Sequence, residues 1–334
     1  MSDTTATSAV DVTVVMACYT EDRWTSITAA LESLRRQRLA PRHVIVGVDN
    51  NRALATRLAT EFDWLVVALN DGDHGASATR NRAADLVTTP FLAFLDDDEI
   101  AEPDWLDELT RPFVDAGVVG TGGRYRDVWL IGKPDWFPGE FAWVVGGAYV
   151  GMSTVTSEVR NVWSGNMAVR TDVFRAVGGF PTDFGKRGDA SQPEDTELCI
   201  RMAQTCAGRW MYVPSAVIDH EVPEARSSLS FFARRCYTEG AGKALMRSRF
   251  DTADIIDTER SYAVRTTWAA MRRMTVCRRA SLLQGMAMFL GLACAAVGFG
   301  REVTRSLVRR SGRGPLAPVE LPSVAALDAA DGAA

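Results

Sequence analysis

Over roughly its first hundred residues the chain alternates short apolar runs with segments whose apolar residues fall at helical spacing. The runs are 12–18 (VTVVMAC), 43–48 (HVIVGV), 64–69 (WLVVAL) and 91–95 (FLAFL). Short runs of this kind read as strands buried on both faces, as in a parallel sheet. Between them, 23–38 sets Trp24, Ile27, Leu31 and Leu34 at helical spacing, 52–61 reads as a helix, and 75–86 (GASATRNRAADL) reads as another. Alternation at this pace predicts an α/β fold of βαβ units with right-handed crossovers, spaced like a doubly wound nucleotide-binding half. At 334 residues the chain holds one large domain, or one domain with an appendage.

The fourth run leads straight into Asp96, Asp97 and Asp98. Three carboxylates cannot sit unpaired in a core. They face solvent, a cation or a ligand at the carboxyl edge of the sheet, where open α/β sheets bind their ligands. Alternate residues of an extended turn point the same way, which lets Asp96 and Asp98 converge while Asp97 looks elsewhere. Two converging carboxylates are hard oxygen ligands, suited to Mg²⁺ or Mn²⁺ shared with a substrate phosphate. The competing reading, a helix start, accounts for Asp104 ahead of Trp105 but poorly for three aspartates behind a buried strand.

Several classes lose their support. The first turn, 19–23 (YTEDR), carries no GxGxxG, and no GxxxxGK[ST] occurs, which argues against a dinucleotide fold and a P-loop NTPase. The six cysteines (Cys18, Cys199, Cys206, Cys236, Cys277, Cys294) form no CxxC pair and read as buried free thiols in a reducing compartment. His43, His74 and His220 are too scattered for a His-rich metal site. The net charge of −5 divides unevenly: residues 226–313 carry 17 Lys/Arg against 6 Asp/Glu, and residues 1–225 carry 20 against 33. An acidic body with a basic end predicts a cation-using site in the first part and an anionic surface for the second. The start, MSDTTATSAVD, has neither the basic lead nor the apolar core of a signal peptide, so a cytoplasmic protein is expected.

After residue 115 the pattern changes. A strand is expected at 118–124, and then an aromatic-rich stretch, 127–159, holds Trp129, Trp136, Phe137, Phe141, Trp143 and Tyr149. These rings either offer faces to a sugar or cover the sheet. The segment 162–170 (VWSGNMAVR) precedes a helix start at Thr171-Asp172. Pro193, Glu194 and Asp195 open a helix running through Ile200, Met202 and Ala203, where the two acids also suit the helix dipole. Short strands are expected at 210–213 and 216–218, the second closed by Asp219-His220-Glu221. Residues 229–250 read as an amphipathic basic helix with Arg234, Arg235, Lys243 and Arg247. Residues 280–300 carry no charge and are flanked by arginines on both sides. That length is near the roughly 20 residues that span a bilayer, but Gln284 and four glycines weaken a span. Lying on the membrane, forming a re-entrant hairpin and docking on protein stay open beside spanning.

Taken in order, Ala17-Cys18-Tyr19 with Glu21, then Asp49, the 75–81 segment with Arg80, Asp96 and Asp98, Gly165-Asn166-Met167-Ala168, Glu194-Asp195 and His220 form a motif series. It resembles that of a family 2 glycosyltransferase with the GT-A fold, over roughly residues 11–250. The resemblance implies a Rossmann-like mixed sheet with helices on both faces, followed by a C-terminal helical extension. Domain boundaries follow: a disordered lead at 1–10, a GT-A domain at 11–225 in halves 11–125 and 126–225, a basic helical region at 226–311, and a disordered tail at 312–334. It implies an inverting transfer from a nucleoside-diphosphate sugar (UDP favoured, GDP or dTDP open) to an acceptor hydroxyl, with Mn²⁺ or Mg²⁺. The acceptor would be a sugar, a lipid-linked glycan or a small molecule. The enzyme would sit at the inner face of the plasma membrane, with no nucleic acid as partner.

The implied roles are specific. Tyr19, Glu21 and Asp49 line base and ribose, Arg80 lies near the pyrophosphate or holds the aspartate loop, and Asp97 joins the donor contacts. Asp96 contacts ribose or metal, Asp98 ligates the metal, and Asn166 faces the donor sugar. His220 is a further metal or diphosphate contact, or a structural histidine. Asp195 is the base, exposed and ionised in the ordinary acid range, with Glu194 as its neighbour and alternative. Where the family often has Asp-Asp-Gly-Ser, this chain has Asp49-Asn50-Asn51-Arg52, and it lacks the QxxRW of polymerising synthases. The alternatives are a nucleotidyltransferase, whose Gly/Arg/Lys-rich phosphate loop is missing near the first strand, and a non-catalytic sugar-binding or scaffold protein.

Overall fold

The computed structural model describes residues 10–182, 193–249, 254–276 and 278–310. Four parallel strands form its first half: β1 (Val12–Cys18), β2 (His43–Asp49), β3 (Val66–Asn70) and β4 (Phe91–Asp96). They are separated by α1 (Trp24–Arg35), α2 (Arg52–Glu61) and α3 (Ala76–Ala84). Side chains alternate across the strands. Val14 and Met16 join Ile27, Leu31, Leu54 and Leu58 in one core, while Val15 and Ile45 join Ala83, Ala84 and Phe174 in another. Helices on both faces are why these strands are apolar without interruption.

The second half adds β5 (Glu99–Ala101), α4 (Trp105–Thr110), β6 (Val118–Trp129), β7 (Ser157–Val159), β8 (Asn166–Arg170), α5 (Thr171–Ala176), α6 (Glu194–Cys206) and β9 (Arg209–Val222). β8 is antiparallel to β4 and β6, and β9 runs parallel to β6 and antiparallel to β5 and β7. The sheet order is β3-β2-β1-β4-β8-β6-β9-β5, with β7 also on β9. Two expected strands at 210–213 and 216–218 are one strand with a bulge. Gly123 faces Val213 and Arg124 faces Val217, leaving Pro214, Ser215 and Ala216 unpaired. Pro214 has no N–H to give the ladder, so the break in pattern was real while the strand continues. Asp104 does stand at the N-cap of α4, but its carboxylate takes Arg38 Nη1 at 2.6 Å rather than capping the helix.

Beyond β9 come α7 (Leu229–Arg249), α8 (Asp254–Met274) and α9 (Arg279–Arg310). They join the sheet through a third core of Phe137, Phe141, Val145, Val222, Phe232, Cys236, Ala270 and Met288. Phe137 and Phe141, 1% and 2% exposed, are therefore inter-element packing and not a sugar platform. α7 and α9 cross closely at Gly240, where a Cβ would overlap the Ala295 carbonyl oxygen. Cys18, Cys199 and Cys236 are buried free thiols, but Cys206 is exposed and Cys294 half-buried. The expected lead, apart from Val10, and the tail from 312 lie outside the described residues, as does Cys277.

Candidate active site

The carboxyl ends of β1, β2 and β4 open into a cavity of about 810 Å³. Tyr19, Asp49, Arg80, Asp96, Asp97, Asp98, Glu194 and His220 all line it, as do Arg23, His74, Thr79, Ser164 and Arg226. At its β2 end, Asp49 accepts from Gly75 N at 2.9 Å and from Asn50 Nδ2 at 2.9 Å, with His74 Nδ1 at 3.6 Å. Tyr19 is 54% exposed beside it. Asn50 takes the left-handed φ of 49°, and Asn51 caps α2 by accepting from Leu54 N. The departure from Asp-Asp-Gly-Ser thus has a local structural use.

Asp97 does not turn away from Asp96 and Asp98. Each lines the cavity and meets an arginine. Asp96 pairs with the buried Arg80, Asp97 with Arg23 at 2.6 Å, and Asp98 with Arg23 at 3.4 Å and Arg226 at 3.8 Å. Asp97 is only 4% exposed, which the Arg23 pair makes tolerable. Burial pushes its carboxyl up to about 6; Arg23 opposes this, and Asp98 and Asp96 add to it. For Arg80, burial works against the charge, and Asp96 together with Glu194 and Glu99 more than offsets it, so the guanidinium pKa is raised.

The short β5 brings the late histidine to this loop, since Glu99 stands opposite His220 in the antiparallel register. His220 Nε2 lies 3.2 Å from Arg226 Nη1, and its Nδ1 is buried without a partner. Burial lowers its pKa; Asp98 opposes the shift and Arg226 reinforces it. Glu99 accepts from Asp96 N at 3.0 Å and is held well above the usual carboxylate range by burial, with Asp96 and Asp98 adding to the shift. Gly165 closes this floor: a Cβ there would lie 2.8 Å from Glu99 Oε2 and 2.9 Å from Asp96 Oδ2.

Three expectations need correction. Asn166 is 0% exposed and does not face the cavity. Its amide accepts from Trp105 Nε1 at 2.7 Å and donates to the carbonyls of Arg124 and Ala216, which ties α4 to the β9 bulge. Glu21 is exposed on a 3-10 turn and does not line the cavity. Asp195 is half-buried and does not line the cavity. It accepts from Thr196 N at 2.7 Å, and burial raises its pKa above the ordinary range against that bond. Glu194, which does line the cavity, is pushed up to about 7 by burial and by Asp195.

Residues 13–178 match the model of glycosyl transferase family 2. The glucosyl-dolichyl phosphate glucuronosyltransferase of Haloferax volcanii is 31% identical over 297 residues, covering 86% of this chain and 94% of that one. The chain is a family 2 glycosyltransferase. The mannosyltransferase PcManGT of Pyrobaculum calidifontis, solved with GDP-Man and Mn²⁺, aligns at a TM-score of 0.52 and 18% identity, covering 96% of this chain and 79% of that one. GalNAc-T7, solved with UDP, GalNAc and Mn²⁺, aligns at 0.53 and 13% identity, covering 93% of this chain and 59% of that one. The mixed sheet is the GT-A fold.

For this glycosyltransferase, the sequence motifs missed Arg23, Glu99 and Arg226. Glu99 is the fourth acid of an unbroken DDDE run, and that run was its signal. The arginines carry no local signal, because Arg23 comes from the first turn and Arg226 from beyond β9. Among the described residues, no group of three or more His, Cys, Asp and Glu is placed to hold a metal ion unaided. Asp96 and Asp98, which both line the cavity, are hard oxygen donors that suit an ion taking its remaining ligands from a diphosphate and water, whereas His220 offers only a buried Nδ1, its Nε2 facing Arg226.

Proposed function

We propose that the enzyme moves a sugar from a nucleoside-diphosphate sugar, with UDP the favoured nucleotide, to an acceptor hydroxyl with inversion at the anomeric carbon. The observation that carries this reading is one cavity running from Tyr19 and Asp49, through Arg80 and the three aspartates, to Glu194 and His220. Tyr19 and Asp49 take the base and ribose, with Asp49 accepting a base N–H. Arg80 fixes Asp96, and Asp98 with Asp96 would hold Mn²⁺ or Mg²⁺. Such an ion supplies Lewis-acid neutralisation of the leaving diphosphate. Arg23 and Arg226, already turned to the carboxylates, are cations within reach of the same phosphate oxygens.

Of the pair at the start of α6, Asp195 is the proposed base and Glu194, whose carboxyl lines the cavity, its alternative; the base takes the hydroxyl proton as the acceptor oxygen attacks opposite the leaving phosphate. Burial brings the Asp195 pKa nearer to neutrality, which suits proton acceptance better than an ordinary aspartate would. Binding supplies the in-line placement. The Haloferax relative is named for glucosyl-dolichyl phosphate, which favours a lipid-linked saccharide as acceptor here and work at the inner membrane face. A thermal-shift screen of UDP-, GDP- and dTDP-sugars, with and without Mn²⁺, tests the donor reading. The expected result is one nucleotide whose stabilisation grows with the ion. No stabilisation by any of the three would sink it.

A further inference from the structure

Between residues 280 and 300 α9 carries no charge on any side, yet only one side is packed. Gly285, Met288, Gly291 and Gly298 are buried, and they face Ala270, Phe141, Phe232 and the Tyr237 backbone. On the opposite side Leu282, Met286, Phe289, Leu290, Ala293 and Val297 follow one another at intervals of one, three or four residues, and all are exposed. This makes an apolar stripe about 22 Å long. Only 28% of the most apolar window of α9 is buried. α8 adds a second outward row, Val264, Trp268 and Met271, with Trp268 68% exposed. A helix apolar all round needs a non-aqueous partner on every side, and the chain supplies one on a single side.

The charge around these rows identifies the partner. Residues 260–308 hold eight arginines and a single acid, Glu302, which is buried. Arg265, Arg272, Arg279 and Arg301 are exposed. A second copy would bring arginine against arginine, whereas an anionic lipid surface meets the apolar rows and their cationic rim together. The packed side argues against a span. Gln284 bonds the Asp135 carbonyl, and Arg273 joins Gln284 to Glu140, so α9 cannot be ringed by lipid without leaving the body.

We propose that the outer face of α8 and α9 lies in the headgroup plane of an anionic bilayer, with α9 parallel to the membrane. The proposal stands on these two helices and is independent of the sugar-transfer reading. Full-length protein should sediment with phosphatidylglycerol-containing vesicles, far less with phosphatidylcholine alone, and should be released by alkaline carbonate. Phe289→Glu with Leu290→Glu, and separately Met286→Glu, should weaken vesicle binding by about tenfold or more at an unchanged thermal midpoint. Arg265→Glu with Arg272→Glu should remove the preference for anionic lipid, again by about tenfold. Transfer to a water-soluble acceptor should be unchanged in all of them, which separates loss of docking from loss of catalysis. Resistance to carbonate would show a span. Full vesicle binding by both apolar variants, or a dimer that they split while vesicle binding stays, would assign the face elsewhere. Each of these results overturns the proposal.

Discussion

The cavity at the carboxyl edge of the sheet and the outer face of the C-terminal helices treat their difficult groups in opposite ways. In the cavity, each of the three adjacent aspartates has an arginine supplied by a distant part of the same chain. On α8 and α9, the exposed apolar rows have no counterpart among the described residues. In the first region the aspartates already have arginine partners before any ligand arrives, so changes there act on chemistry and on folding. The second is complete only against a surrounding medium, so changes there act on where the enzyme sits.

The comparison breaks most sharply at Asp98. Asp98→Ala should lower nucleotide-sugar turnover by on the order of 10³-fold, several kcal/mol of transition-state stabilisation, with the thermal midpoint kept. Excess chelator should do the same to the unaltered enzyme, and full turnover in chelator would remove the ion from the reading. Next comes Asp195→Asn, expected to slow transfer by about 10²–10⁴-fold with donor binding intact. If it transfers normally, the base is Glu194, whose carboxyl already lines the cavity.

Arg80→Met tests the folding side of the cavity. Arg80 is almost wholly buried, whereas the Asp96 side chain is one-third exposed. The loss should therefore fall near the lower end for a broken buried pair, about 3 kcal/mol by denaturant titration. Gly240→Val tests the helical side, since it forces α7 from α9 and should cost about 1–3 kcal/mol without touching a cavity residue. A further effect is one of pH. Glu194 sits at about 7 in the fold, against about 4.3 for an unfolded glutamate. The folded chain keeps a proton across that window that the unfolded chain has lost. The resulting stability is complete below about 4.3 and disappears as pH rises through about 7. Glu194→Gln should flatten the thermal midpoint across this range, and an unchanged slope would clear Glu194 of the effect.

How much could be read beforehand followed the range of the interactions. The parallel half was legible because burial on both faces leaves a local mark: 52–61 was read as the helix now seen at Arg52–Glu61, and 91–95 as the strand Phe91–Asp96. The strand-end position of Asp96 and Asp98 pointed to the cavity, while Asp49 and Glu194 were joined to it by the family resemblance. What failed was long-range. Asn166 looked like a ligand contact because a polar residue amid apolar ones is conspicuous, but its three partners come from α4, β6 and the β9 bulge. The same holds for Asp195, whose carboxyl feels the charges of Glu239 and Arg235 in α7, forty residues further along. A three-residue strand such as β5 has no period to detect, yet it carries the loop to His220.

The ends of the sheet have a consequence for handling the protein. Its outer strands are β3, of five residues, and β5 and β7, of three each. Rows of unpaired backbone groups that short offer little template for a foreign strand. Fibrous growth from the native state is therefore disfavoured, and a concentrated preparation that clouds should redissolve with mild detergent, because the adhesive surface is helical.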